Sequence, residues 1–475
     1  MDQARCEVKR LFALCAVALA LLPLAVNAAG VKLPPYQSVT LPNGAVVVLI
    51  EKRDTPLVAM NVTVRGGALG DPAGKDGTAS LYTDLIQKGA GERTAAQFAE
   101  AIENVGGSLS ASAGTEALGV NASFLARDVD LMLELVADML QRPRLDPADF
   151  EKARTLGIQS IVAAKDSDPR ALVGSYGDAW LLRGHPYGRP VGGSESTLAA
   201  IRLDDVKRYY SDQVGGDRLI IVVVGDFDAA TMQARLLQAF GTWRKAAATL
   251  PGVSPPAKVT GRNVLLVDKP GATQTYFWMG NVGASRTDPA RTAQTVVNTV
   301  YGGRFTSMLN TELRIKSGLT YGASARFDRA TQPAAFSISS YTETSRTVQA
   351  IDLALETLAR LHRDGLSTDQ LQSARSYLLG QFPPTLETNG QLAGRVADML
   401  FYGLGPEDVN EYAMRVAQVD EAAARNAIEQ TFPRPENLTL VLIGDAAKIR
   451  DDVAKYGPVR EMRISDPSFA PPAAE

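Results

Sequence analysis

The sequence predicts an α+β protein of two homologous domains, each a mainly antiparallel β-sheet with helices packed on one face. Three observations carry that expectation. The first is a repeat. AVVVLIEK (Ala45–Lys52) returns as NVLLVDK (Asn263–Lys269), FEKAR (Phe150–Arg154) as LQSAR (Leu371–Arg375), and DRLIIVVVGDFD from Asp217 as ENLTLVLIGDAA from Glu436. The offsets are 217, 221 and 219 residues, one period in one order, which marks a duplication. The second is that strand patterns are grouped in hairpins with helical patterns between them. The third is AAATLPGVSPPAKVTGR, residues 246–262, rich in Pro, Gly and Ala and without apolar periodicity, which reads as a linker. The expected organisation is therefore a first domain over 31–245, the linker, a second domain over 263–462, and a flexible tail over 463–475.

The elements of the first half follow in order. VVVLIEK and LVAMNVTVRGG are rich in Val and read as strands. Helix is expected near Gly77–Gln87, and again from Thr94, whose spacing to Gln97 suits a capping box. SLSASAGTEALGVNASFL alternates apolar and polar residues around a Gly-Thr-Glu turn, the pattern of an antiparallel hairpin. Asp128 is expected to cap a helix that ends before Pro143, and Asp146-Pro147 to open the next.

Composition bounds the function. At 475 residues, with 45% hydrophobic and 21% charged residues, each half can bury a core. The formal charge is -3, so neither nucleic acid nor an anionic membrane is an expected partner. Residues 1–28 read as a cleavable secretory signal: Arg5, Lys9 and Arg10 precede an apolar run from Leu11 to Val26, and Val26-Asn27-Ala28 supplies the small residues at its end. The run falls short of the roughly 20 residues of a bilayer span. Both cysteines, Cys6 and Cys15, lie inside it, so the exported chain would carry no thiol and no disulfide. Periplasmic export is the expected localisation, with no membrane association after cleavage.

Only two histidines exist, His185 and His362, too few and too far apart for a histidine-based metal site. His185 reads as a turn residue bonding backbone and His362 as a helix C-terminal group. Gly302-Gly303 follows a helical pattern and reads as a helix cap rather than a phosphate loop. Asp226 and Asp445 follow glycines at equivalent strand ends and suit turns.

Across nearly all of the expected mature sequence the chain resembles the M16 metallopeptidases, the family of insulinase, mitochondrial processing peptidase and pitrilysin. The resemblance is carried by VTLPNGAVVVLIEKRDTPLVAMNVTVRGGALGDPAGKDG, HPYGRPVGGSESTLAAI, LIIVVVGDFD and GGRFTSMLNTELRIKSGLTYGASARF, in that order. It implies the M16 peptidase fold. Peptide-cutting members carry an inverted motif, H-x-x-E-H: two histidines four apart on one helical face bind zinc, and the glutamate activates water. Here Ser80 stands for the first histidine, Thr83 for the glutamate and Asp84 for the second histidine. The family's third ligand, a downstream glutamate, falls near Gln159 or Ser160, neither a good zinc ligand.

The second half keeps something else. In bipartite bacterial members of the family, a zinc-bearing subunit is completed by a partner that supplies an Arg and a Tyr from a stretch of the form L-R-x-x-x-G-L-x-Y. Leu313 to Tyr321, LRIKSGLTY, matches it at every fixed position. The resemblance implies that Arg314 and Tyr321 hold the peptide carbonyl and stabilise the oxyanion in the partner's site. A helix ending near Ser317 would bring Tyr321 back beside Arg314. The implied protein is a zinc-motif-less subunit with no metal or cofactor of its own. Its partner would be an H-x-x-E-H homologue that holds the zinc, and its substrate a peptide or unfolded protein. Two other readings stay open: a structural homologue like the core subunits of respiratory bc1 complexes, and a free peptide-binding protein using a sheet edge.

Overall fold

The computed structural model describes residues 30–471. It contains two six-stranded sheets. The first is formed by β1 (Gln37–Thr40), β2 (Val46–Glu51), β3 (Leu57–Arg65), β4 (Ser108–Ala113), β5 (Ala117–Leu125) and β6 (Leu219–Gly225), in the order β1-β2-β6-β3-β5-β4. The second is formed by β7 (Asn263–Asp268), β8 (Gln274–Val282), β9 (Ala323–Arg329), β10 (Pro333–Glu343), β11 (Thr439–Gly444) and β12 (Val459–Arg463), in the order β12-β7-β11-β8-β10-β9.

Five strands correspond one to one. β2 and β6 run parallel, as do β7 and β11, and the three pairings that follow in each sheet are antiparallel. The sixth strand breaks the symmetry. β1 precedes β2 in a hairpin and lies antiparallel to it, whereas β12 comes from the far end of the chain and lies parallel to β7. The same edge is thus filled from opposite termini.

Local signals hold where they are short-range. Thr94 and Gln97 form the expected reciprocal capping box at the helix Ala95–Glu103. Asp146 accepts from the Ala148 and Asp149 amides at the start of the helix Pro147–Ser167. Asp128 precedes its helix, Val129–Gln141, but makes no capping bond. It ends a 3-10 turn with φ −103° and ψ 13°, outside the extended conformation that turns a capping side chain back toward the following amides.

Each sheet packs one face against helices of its own half. On the first sheet Val47, Leu49, Met60, Val62, Ile221 and Val223 join that core. The opposite face of the central strands is also dry, and the covering helix comes from the other half. Asn389–Phe401 lays Leu392, Val396 and Met399 over Val48, Ile50, Val222 and Val224. In return, Val173–Leu181 of the first half lays Tyr176 and Trp180 over Leu265, Val267, Val441 and Ile443. This reciprocal cover explains why LIIVVVG and TLVLIG are apolar at every position instead of alternating. Gly177 permits it, since a Cβ there would stand 2.4 Å from the Trp278 ring.

Residues 246–262 contain no helix or strand. The tail departs from expectation: residues 463–471 are docked, not frayed. Phe469 is buried and meets the Tyr176 ring edge-on at 5.0 Å, while the Pro467 carbonyl accepts from the Ser196 amide at 3.0 Å. The aromatic anchor on the exchanged helix and bonds to the Asp466 and Pro467 carbonyls from Lys165 and Ser196 account for the order. Among the described residues no helix is long and apolar enough to cross a membrane. The expected signal, residues 1–28, lies outside them, as do the last four residues.

Candidate functional site

The helix that would hold zinc, Thr78–Ile86, begins after Gly77, whose φ of +100° suits glycine. Its start is tied down by the buried Asp71, whose carboxylate accepts from the Gly77 amide at 2.9 Å and the Ala79 amide at 2.8 Å. Burial pushes the Asp71 carboxyl up to about 7, against the pull of those two amides and of Arg189. The three motif positions form no metal site. Ser80 is partly exposed, and Thr83 is buried with its hydroxyl donating to the Ser80 carbonyl at 2.9 Å. Asp84 is exposed, although protein packed around its carboxyl raises its pKa against the opposing pull of Lys88.

Gln159 and Ser160 lie exposed on the helix Pro147–Ser167, which packs beside the Thr78–Ile86 helix. One carboxylate among hydroxyls and an amide does not fit a zinc site. Among the described residues, no three His, Cys, Asp or Glu side chains gather where an ion could sit. Neither histidine departs from a structural role. His185 bonds the Ser254 carbonyl at 2.8 Å and accepts from the Tyr187 amide. His362 sits in the last turn of the helix Thr347–Asp364, and its ring bonds the Pro433 carbonyl at 3.1 Å rather than the end of its own helix.

In the second half, the helix Arg291–Tyr301 ends at Gly302. The chain passes so close to β9 there that a Cβ would lie 2.5 Å from the Ala325 nitrogen. Ser307 then caps a short helical turn that widens into a π-helical turn, Thr311–Lys316. Such widened turns concentrate at functional sites. Leu313 anchors it in the core, and its carbonyl accepts from both Leu319 and Thr320 amides. Gly318, at φ +59°, reverses the chain, and its amide returns to the Arg314 carbonyl at 3.1 Å.

That reversal brings Tyr321 beside Arg314. The Arg314 guanidinium lies 5.6 Å from the centre of the Tyr321 ring and 4.7 Å from that of Phe305. Tyr321 is 79% exposed and Phe305 60% exposed. Among the described residues neither the Arg314 guanidinium nor the Tyr321 hydroxyl has a hydrogen-bond partner within the chain. The two rings flank the guanidinium, and its N–H donors remain open. The geometry can therefore present an N–H fork and a phenol to one acceptor. Two neighbours carry no signal in the sequence: Arg304, which follows the Gly302-Gly303 cap, and Arg170, which comes from the first half. Both line the cavity that Arg314 and Tyr321 border.

Comparison with known proteins agrees with this architecture. Residues 46–195 match the family model described as insulinase (peptidase family M16), and residues 200–378 match the model described as the peptidase M16 inactive domain. The chain belongs to the M16 peptidase family. It is 29% identical over 365 residues to an uncharacterized zinc protease of Mycobacterium leprae, covering 75% of this chain and 80% of that one. It is 23% identical over 407 residues to a protein of Helicobacter pylori named a non-peptidase homolog, covering 85% and 92%. Among solved structures, a peptidase M16 inactive domain from Pseudomonas fluorescens shares the fold with a TM-score of 0.80 at 20% identity, covering 86% of this chain and 98% of that one.

Proposed function

We propose that this chain is the zinc-free subunit of an exported, heterodimeric M16 metallopeptidase. It binds peptide and completes the active site of a zinc-bearing H-x-x-E-H homologue. The observation that carries the reading is the contrast in polar groups. At the zinc positions the only buried side chain, Thr83, bonds its own helix, whereas Arg314 and Tyr321 stand together with their donors unpartnered. In the assembled enzyme the zinc held by the partner would supply Lewis-acid activation of water and carbonyl. This chain's share is to hold that carbonyl between the Arg314 fork and the Tyr321 hydroxyl. Both are donors, so they strengthen as negative charge builds on the oxygen. Enclosure by the partner would exclude water and raise the strength of each contact. Export to the periplasm rests on residues 1–28, whose basic start and apolar run have the form of a signal.

The test is reconstitution. Purified mature chain, the zinc-bearing homologue, and a mixture of the two are assayed on unfolded peptides, with zinc measured in each. The expected outcome is zinc only with the homologue and full peptidase activity only in the mixture. About one tightly held zinc per copy of this chain would overturn the reading, as would cleavage by this chain alone.

A further inference from the structure

Three guanidinium groups, Arg314 among them, line one cavity of about 690 Å3, and no Asp or Glu is among its walls. Arg170 comes from the first half, Arg304 and Arg314 from the second. Each lies over a ring rather than against a carboxylate: Arg170 at 5.7 Å from Tyr341, Arg304 at 5.8 Å from Tyr377, and Arg314 over Phe305 and Tyr321. Arg304 donates to the Ser373 hydroxyl at 3.0 Å, while its Nε is buried with no partner.

The contrast with other arginines of the second half is sharp. Arg286, Arg291, Arg395 and Arg415 converge on the buried Asp408, and Arg360 pairs with Glu312. The fold supplies carboxylates to those arginines and withholds them from the cavity. Aromatic rings flank the three guanidinium groups, and apart from the Arg304 bond to Ser373 their N–H donors have no partner within the chain. Like charges held together in a partly enclosed cleft repel one another, and an entering carboxylate relieves that repulsion while accepting charge-assisted hydrogen bonds.

We infer that this cavity selects peptide segments with an acidic side chain, the Asp or Glu carboxylate seating between Arg304 and Arg170 while the neighbouring backbone crosses Arg314 and Tyr321. The inference rests on the proposed function for the path of the peptide and adds a specificity to it. A peptide's C-terminal carboxylate carries the same chemistry, so the test separates the two sources.

Fluorescence anisotropy on the purified chain would compare labelled unfolded peptides that differ at one internal position, Glu or Gln, each with a free or an amidated C-terminus. The Glu peptides should bind about tenfold or more tightly than the Gln peptides whether or not the terminus is amidated, as a charge-assisted hydrogen bond implies. The difference should shrink as salt is raised. Arg304→Gln and Arg170→Gln should each remove most of it, while Arg304→Lys keeps part of it and serves as a folding control. Equal binding of Glu and Gln peptides, no binding of either, or a preference that survives Arg304→Gln would overturn the inference. So would a preference abolished by amidation alone, which would assign the cavity to a chain terminus. Because no partner or turnover is involved, the inference can fail here while reconstituted activity still supports the proposed function.

Discussion

The two halves share five strands and their order, yet a polar region in each has opposite chemistry. On the helix Thr78–Ile86, polar residues stand where a metal centre would need ligands, and the buried Thr83 is held by the Ser80 carbonyl. In the π-helical turn Thr311–Lys316 the backbone is just as fully bonded, through the Leu313 and Arg314 carbonyls, but the side chains it presents are left open. A duplicated fold can thus keep its scaffold in both copies while one site closes on itself and the other stays poised for an outside group. In the first copy the degenerate site is stabilised by its own contacts. In the second, the Arg314 and Tyr321 donors have no hydrogen-bond partner within the chain, as the proposed role requires.

The largest expected effect bears directly on that contrast. In the reconstituted pair, Arg314→Ala should lower turnover by about 100- to 1,000-fold, the typical loss for one preorganised donor to an oxyanion. Asp84→Asn, on the degenerate helix, should change turnover by no more than about twofold, as exposed surface substitutions do. Steady-state kinetics on peptide substrate checks both. Similar losses from the two variants would erase the distinction between the closed and the open site.

A second expectation separates arginines the fold uses from arginines it leaves free. Asp408 is 3% exposed and is contacted by four guanidinium groups, so Asp408→Ala should destabilise the chain by about 3–5 kcal/mol. Arg170→Gln should stay within about 0.5 kcal/mol. Urea unfolding of both variants measures the pair of values, and comparable losses would mean that Arg170 is structural.

A third concerns Asp178 on the exchanged helix Val173–Leu181, which lines a separate cavity together with Arg326 and Asp328. Burial, with Asp328 adding to it and Arg326 opposing, pushes its carboxyl up to about 7, and one of its oxygens is buried without a partner. The folded chain therefore holds this proton more tightly than the unfolded chain. The group's contribution is fully present below the ordinary Asp range and is lost as pH rises from about 4 to about 7. Asp178→Asn should stabilise the chain at pH 8, on the order of 1–4 kcal/mol, with the gain shrinking toward zero as pH falls to about 4. Thermal unfolding across that range would show it. A gain independent of pH would assign the effect to packing.

Much of this was legible because it is local. The Thr94–Gln97 box, the Asp146-Pro147 start and the turn around Gly114-Thr115-Glu116 depend on residues within a few positions of one another. The return of Tyr321 to Arg314 is equally short-range, since Gly318 alone reverses the chain. The reciprocal helices were hidden for a physical reason. Burial of Leu392 and Val396 against a sheet more than a domain away leaves the same amphipathic pattern as burial within one's own half. The docking of Phe469 was masked by the Pro and Ala around it. Arg170 was invisible as a cavity residue because the exchanged segment alone carries it to Tyr341.

The most direct test of the account is the single-turnover rate of the assembled pair carrying Tyr321→Phe, with assembly verified by sedimentation. The substitution removes one hydroxyl from a ring that is 79% exposed and makes no hydrogen bond to the chain, so it leaves the fold and the Arg314 stack unchanged. The account predicts normal assembly, normal zinc in the partner, and a rate lowered by about 100-fold or more. A fully assembled Tyr321→Phe complex that cuts peptide at the wild-type rate would contradict it and leave this chain a scaffold.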